Sequence, residues 1–380
     1  MSAPGVGAIT TIGFPRQQHE AAEVRDFLPE LFAFLAGFPV KVVVETGYGS
    51  GLGQTADAYR AAHPRVEFGT AADCFAADLV VVLRCPPVHQ LAVLRWGSAL
   101  LSMLHFPTRP ERVAFCDEAG VEGFAMDQVV DDLGRRLVED LDAVARNGVA
   151  AGMKALERQW PAFSSPTRAP LRVLLLGAGA VGAQALRWCA QYADPEVRRR
   201  LARDRVPGVE VVAIDVELAT NAGYFEKTLP TVDLLVDATS RRDAAVPIVR
   251  NAWLAALPAH AVIVDLAADL YDVSTTPPRT KAIEGIPHGN LDQHVFEPGN
   301  PAWNVVGPTV PHAAQRTTCS CYAWPGIRPL ESSRSYGNQL QPVLRALIDR
   351  GPRGLSVTGG RMAERAVARA SHHVFRKAGV

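Results

Sequence analysis

Residue types suited to proton and anion chemistry follow apolar runs at three places in this chain of 380 residues. Arg84 follows Leu79-Val-Val-Val-Leu83, His105 follows Leu101-Ser-Met-Leu104, and Asp269 lies just past Val262-Ile-Val-Asp-Leu266. An arginine forks onto a carboxylate through parallel N–H groups. A histidine moves a proton near neutral pH. An aspartate holds an ammonium group or steadies an imine. With a hydride acceptor, these are the parts needed to oxidise an amino acid at its α-carbon. Each also has a plainer reading: a hydrogen-bonded structural histidine, a turn-capping aspartate, a surface cation.

A place for the hydride acceptor is written in Val173-Leu-Leu-Leu176 and the glycines after it, Gly177-Ala178-Gly179-Ala180-Val181-Gly182. Strand, glycine turn and helix start, in that order, make a dinucleotide pyrophosphate cradle. Gly177 permits the tight turn, Gly179 lets the backbone approach the phosphates, and Gly182 lets the helix sit against the strand. The helix start offers N–H groups and a positive dipole end to the anion. The next strand ends in Asp215, placed to accept hydrogen bonds from an adenosine ribose, which favours NAD over NADP. The distance from the glycines to this acid exceeds the usual ~20 residues. The charged segment 194–205 reads as an inserted surface helical turn.

The elements that must carry these groups alternate between strand and helix. Apolar or β-branched runs at 41–45, 79–83, 99–104 and 122–126 read as strands; 28–35, 56–62 and 109–120 have helical spacing. A long helical pattern covers 137–160, and a Ser/Pro linker covers 161–170. Strand-like runs at 232–239 and 261–266 follow the cradle. Residues 274–319 are rich in Pro, Gly and His with little periodicity and read as a long excursion near the site. The tail, 339–348 and 360–375, is helical by spacing. The expected fold class is α/β, with two Rossmann-like parallel-sheet domains and an interdomain cleft. Residues 1–148 plus 331–380 form the substrate domain and 149–330 the NAD domain, with the 137–160 helix joining them.

Composition narrows the partners. Lys+Arg and Asp+Glu are equal at 39 each, so no basic field draws nucleic acid or an anionic membrane. No apolar run reaches membrane-spanning length, and the N-terminus lacks the pattern of a signal peptide. A cytoplasmic chain with buried, reduced cysteines is expected. His288, His294, His312, Cys319 and Cys321 have irregular spacing that fits no zinc signature, so no metal is expected. His372-His373 reads as solvated.

These residues also carry a family resemblance over most of the chain. It runs through Gly13-Phe-Pro-Arg16, Glu23-Val-Arg25, Val44-Glu-Thr-Gly-Tyr-Gly49, Asp57-Ala-Tyr59, Val82-Leu-Arg84, Met103-Leu-His105, Ile263-Val-Asp-Leu-Ala-Ala-Asp269 and Trp324-Pro-Gly326. The chain resembles the alanine dehydrogenase family, related to the nicotinamide nucleotide transhydrogenase alpha subunit and, more distantly, to lysine-forming saccharopine dehydrogenases. The resemblance implies that Arg25 and Arg84 bind the substrate carboxylate and that His105, Asp269 and Arg84 form the catalytic group. It implies that Gly177 to Gly182, Asp215, Ala238, Thr239 and Trp324 line NAD, and that the chain is a homo-oligomer. The implied activity is NAD(H)-dependent oxidation of a CH–NH group: deamination of an amino acid, or reductive amination of a 2-oxo acid. An opine- or saccharopine-type dehydrogenase, an imine reductase and an inactive NAD-binding protein are the alternatives. Arg84 stands where the family has lysine, Ala323 where it has asparagine, and the segment before Trp324 is longer than the family's loop. The substrate is therefore open beyond alanine.

Overall fold

The computed structural model describes residues 7–379 apart from 18–19, 216–217, 219–220, 242, 268, 270 and 273. The chain divides into two compact units: Met1–His19, Glu23–Asp140 and Arg328–Val380 form one, Glu20–Ala22 and Leu141–Ile327 the other.

The first unit is built on β1 (Thr11–Phe14), β2 (Lys41–Glu45), β3 (Val66–Gly69), β4 (Leu79–Arg84), β5 (Ala99–Met103) and β6 (Glu122–Ala125). Their order is β3-β2-β1-β4-β5-β6 and every pairing is parallel. Both faces are covered, so strands such as Leu79-Val-Val-Val-Leu are apolar throughout rather than alternating. The helix Pro329–Arg350 returns to this unit and sends Leu340, Val343, Leu344 and Leu347 into one face. The chain order reverses between β1 and β4, the point where open sheets of this kind gather ligands.

The second unit holds β7 (Leu171–Leu176), β8 (Val209–Ile214), β9 (Leu234–Asp237), β10 (Val262–Asp265), β11 (Val295–Phe296) and β12 (Thr317–Ser320) in the order β11-β12-β10-β9-β7-β8. Only β11 runs antiparallel. The switch point lies between β7 and β9, beside the glycine turn.

Some sequence expectations shift. The long helix is Leu141–Gln159, and the whole of it belongs to the second unit, so the division falls at 140/141 rather than 148/149. Its Ala145, Val149, Met153 and Leu156 recur at fourfold and threefold spacing and face the sheet. A Cβ at Gly148 would come within 2.2 Å of Leu266, and one at Gly152 within 2.3 Å of Val264, so the helix lies unusually close to β10. The excursion 274–319 is not structureless: it contributes β11 and β12 to the sheet. The charged 194–205 segment contains the helix Pro195–Arg203, capped by the Asp194 carboxylate on the N–H of Glu196 at 2.7 Å. All six cysteines are free and buried.

His372 is buried, against the expectation of a solvated pair, because its ring wedges under β6. Its Nδ1 accepts the Gly123 N–H at 3.1 Å. Donor atoms of Asp117, His372 and His373 lie within 4.8 Å of one another. With Nδ1 accepting, the His372 Nε2 of the neutral ring carries its hydrogen toward Asp117, which Arg376 also holds at 2.7 Å. The cluster is satisfied as a hydrogen-bonded tie for the C-terminal helix.

Candidate active site

In the second unit, the glycines divide their work as the spacing predicts. Gly177 has φ +90°, and a Cβ there would lie 2.8 Å from the Ala238 carbonyl oxygen. Only glycine fits both the conformation and the crossing with the β9 loop. A Cβ at Gly182 would stand 2.0 Å from the Gly177 carbonyl oxygen, so the helix Ala180–Cys189 rests on the turn. At Gly179 a Cβ would meet nothing within 4 Å. The space before it is open, and no side chain caps the helix start behind it. Ala178 and Ala180 are exposed beside this opening, with Val181 half-buried. These residues fit a dinucleotide pyrophosphate. Asp215 is exposed immediately after β8, and Ala238 and Thr239 follow β9. The Thr239 N–H and hydroxyl both donate to Asp237, at 3.0 and 2.7 Å. Trp324 departs from its expected place on the cofactor. It is 2% exposed and donates its only N–H to the Asp265 carbonyl at 2.8 Å, so it braces the end of β10.

Asp269 sits among charges that the sequence did not reveal. Buried Arg241 grips its carboxylate through Nη2 at 2.6 Å and Nε at 3.1 Å. Lys281 donates to the Asp269 backbone carbonyl at 3.0 Å and to the Asp265 carboxylate at 2.6 Å. Ser320 adds a third bond, to Asp265, at 2.8 Å. Asp265 is the register partner of Asp237 across β9 and β10. Burial, and then the Asp265 charge, push the Asp237 carboxyl up to about 7.

In the first unit, Arg84 ends β4 and Arg25 precedes the short helix Pro29–Leu35. Both bind the fully buried carboxylate of Glu23: Arg25 through Nε at 2.7 Å, Arg84 through Nη1 at 2.9 and 3.0 Å. Both guanidiniums carry their positive charge at the strand end, with Arg84 30% exposed and Arg25 12%. That charge suits a substrate anion.

Arg84 pairs in register with Met103 of β5, and His105 lies just past that strand. The His105 backbone is left-handed, φ +50°, and its N–H is fixed by Asp127 at 3.0 Å. The same carboxylate faces the His105 Nδ1 at 3.4 Å. Burial alone would raise Asp127, but the hydrogen bonds and charge of His105, together with Gln128, hold it down at about 2. An ionised Asp127 fixes the proton on Nδ1 and leaves Nε2 of this half-exposed side chain to accept or deliver a proton.

Residues 27–145 match the family model of the alanine dehydrogenase/PNT N-terminal domain. Over 364 residues it is 25% identical to an alanine dehydrogenase of Halomonas elongata, covering 88% of this chain and 90% of that one. Over 184 residues it is 31% identical to the NAD(P) transhydrogenase subunit alpha of Cereibacter sphaeroides, covering 46% of this chain but 35% of that subunit. The chain thus spans about a third of the transhydrogenase relative's length. A solved L-alanine dehydrogenase matches with a TM-score of 0.68 at 18% identity, covering 95% of this chain and 94% of that one. A transhydrogenase from Sinorhizobium meliloti matches at 0.57 and 18%, covering 89% and 94%. The structural likeness shows the fold, two Rossmann-like α/β domains of the alanine dehydrogenase type. Among the described residues, no helix is long and apolar enough to cross a membrane.

Asp127, Arg241 and Lys281 escaped the sequence reading, and Glu23 was seen there only as part of a motif. Asp127 had a usable signal: an acid just beyond β6, next to the strand that presents His105. Arg241 and Lys281 had none, because their carboxylate partners lie 28 and 16 residues away across loops.

Proposed function

We propose that the protein is an NAD(H)-dependent oxidoreductase of the amino-acid dehydrogenase type. It interconverts an amino acid and water with a 2-oxo acid and ammonia. The observation that carries this reading is the His105–Asp127 pair, set on the same sheet edge as the Arg84–Glu23–Arg25 cluster. NAD, bound over Gly179, would take the hydride from the substrate's α-carbon. The arginine cluster holds the substrate carboxylate. Nε2 of His105 takes the proton from the water that adds to the resulting iminium carbon and returns one to the departing nitrogen. Asp127 keeps Nδ1 protonated throughout. Asp269, clamped by Arg241, steadies the cationic iminium.

An NADH-linked screen of 2-oxo acids against ammonia and primary amines tests this. Oxidation of NADH with ammonia supports the reading. Oxidation only with amines shifts it to an opine- or saccharopine-type dehydrogenase. A second reading, an NAD-binding protein without turnover, draws on Arg84: the residue is already paired to Glu23 and cannot yield a proton at working pH. Tight NADH binding by calorimetry with no turnover on the whole panel, or a His105→Ala variant with full activity, would overturn the enzymatic assignment.

A further inference from the structure

Four strands of the second unit end in one row. Leu176, Asp237, Asp265 and Ser320 are the last residues of β7, β9, β10 and β12, and each is the register partner of the next across the sheet. Two members of this row are buried carboxyls, each 1% exposed. Asp265 is answered by the Lys281 ammonium at 2.6 Å and the Ser320 hydroxyl at 2.8 Å. Asp269, in the loop beyond, is answered by Arg241. Asp237 differs from both. Among the described residues it has no cation partner, and its two hydrogen bonds, from the Thr239 N–H and hydroxyl, both fall on Oδ1.

Three carboxyls and two bases therefore meet at this end of the sheet, with one negative charge in excess once Asp237 is ionised. The other acids of the surrounding loops increase that excess. Asp243 and Asp272 hold N–H groups of their own loops, Glu284 holds the Asn251 N–H, and Glu20 holds Tyr322 and the Leu291 N–H. His288 adds no charge, because burial, and then Lys281, lower its pKa to about 4. Lys227 and Arg279 are exposed, where salt screens them. From the opposite face the helix Leu141–Gln159 presents Ala145, Val149 and Met153. A buried acid without a counter-ion is stabilised by any cation that comes near it.

A dinucleotide lies across the switch point of such a sheet, one nucleoside to each side of the glycine turn. On the cofactor reading above, Asp215 after β8 takes the adenosine ribose, which leaves the side of β9 and β10 to the nicotinamide half. The two forms of the cofactor differ only in that ring, a cation in NAD+ and neutral in NADH. We propose, resting on that reading, that Asp237 sets the preference of the second unit between the two forms, its ionised carboxylate favouring NAD+ over NADH. Unit charges about 12 Å apart, at an effective dielectric of about 20, change binding about tenfold.

The test is calorimetric titration of the full-length protein with NAD+ and with NADH across about pH 6 to 8, the window set by the Asp237 carboxyl near 7. The ratio of the two dissociation constants cancels every contact the two forms share. Asp237 is mostly neutral at the lower end and mostly ionised at the upper, so the ratio should move about fivefold toward NAD+ as pH rises. Asp237→Asn keeps a carbonyl oxygen for the Thr239 N–H and hydroxyl. It should hold the ratio flat, near the parent's low-pH value, with NADH affinity unchanged. A parent ratio that ignores pH, or one that moves as far in Asp237→Asn, overturns the proposal. So does an equal loss of both forms in the variant, which would make Asp237 only a support for the Thr239 loop. If the variant fails to fold, the parent's pH series decides. Tight binding of both forms with a flat ratio refutes the proposal and keeps the cofactor reading, whereas binding of neither form at any pH refutes both.

Discussion

Replacing Gly179 by alanine should leave the fold intact, or slightly more stable, while weakening NADH binding by about ten- to a hundredfold. Gly179 has φ −71° and ψ −163°, extended backbone open to any L-residue. A Cβ there meets nothing within 4 Å. With no strain and no collision, the stability change is the entropy removed from the unfolded chain, a gain of about 0.4–1 kcal/mol. Binding moves the other way. The methyl projects into the space where the pyrophosphate must approach the backbone, and displacing the phosphate by about 1 Å takes an N–H···O bond from about 2.9 Å beyond useful range. Each hydrogen bond to a charged group contributes about 1.5–3 kcal/mol, and 1.4 kcal/mol is a factor of ten. Urea denaturation gives the first quantity and NADH titration calorimetry the second. An alanine variant that binds NADH as tightly as the parent, or that loses more than about 1 kcal/mol of stability, would refute the assignment of this space to the cofactor. Gly182→Ala is the contrasting control. Its Cβ would stand 2.0 Å from a backbone oxygen, so it should lower stability by about 1–3 kcal/mol as well as affinity.

Three further outcomes rest on the charges. Asp127→Asn should lower kcat on the order of a hundredfold with NADH affinity retained, because His105 loses the anion that fixes its Nδ1 proton; an equal fall in NADH affinity would point to a structural role instead. Lys281→Met should cost about 3–5 kcal/mol in urea midpoint experiments, since it leaves Asp265 buried and uncompensated, and Lys281→Met with Asp265→Asn should recover much of it; no recovery in the double variant would argue against the pair. The Asp237 carboxyl is raised in the folded state, so folded stability should fall as pH rises from the usual carboxylate value of 3.8 through about 7. Asp237→Asn should flatten unfolding curves measured across that window, and an unchanged pH profile would show that another group titrates there.

Much of this architecture was legible because parallel strands buried on both faces are written as continuous apolar runs. Leu79-Val-Val-Val-Leu and Val173-Leu-Leu-Leu mark β4 and β7 without ambiguity, and the glycine pattern fixes the turn and helix start after β7. Thr317-Thr-Cys-Ser was lost inside the excursion because a four-residue strand of small polar side chains has no hydrophobic signature, yet it is the partner of β10. Trp324 looked like a cofactor residue because its neighbours match a motif; its role is decided by an indole N–H that reaches a carbonyl 59 positions away. His105 and Asp269 were singled out from their places just past apolar runs. The groups that tune them, Asp127 and Arg241, come from neighbouring strand ends and loops, and which strand end lies beside which is a property of sheet order, not of local sequence.

Glu23 has a consequence for how the protein would behave in salt. Its carboxylate is wholly withdrawn from water and Arg25 nearly so, leaving only Arg84 in substantial contact with solvent. Mobile ions screen exposed charges over about 8 Å at physiological ionic strength, but they reach buried ones poorly. The Arg25–Glu23 pair beside the end of β4 is therefore held by the fold rather than by the medium, and its geometry should be much the same in dilute buffer as in a crowded, salty cell.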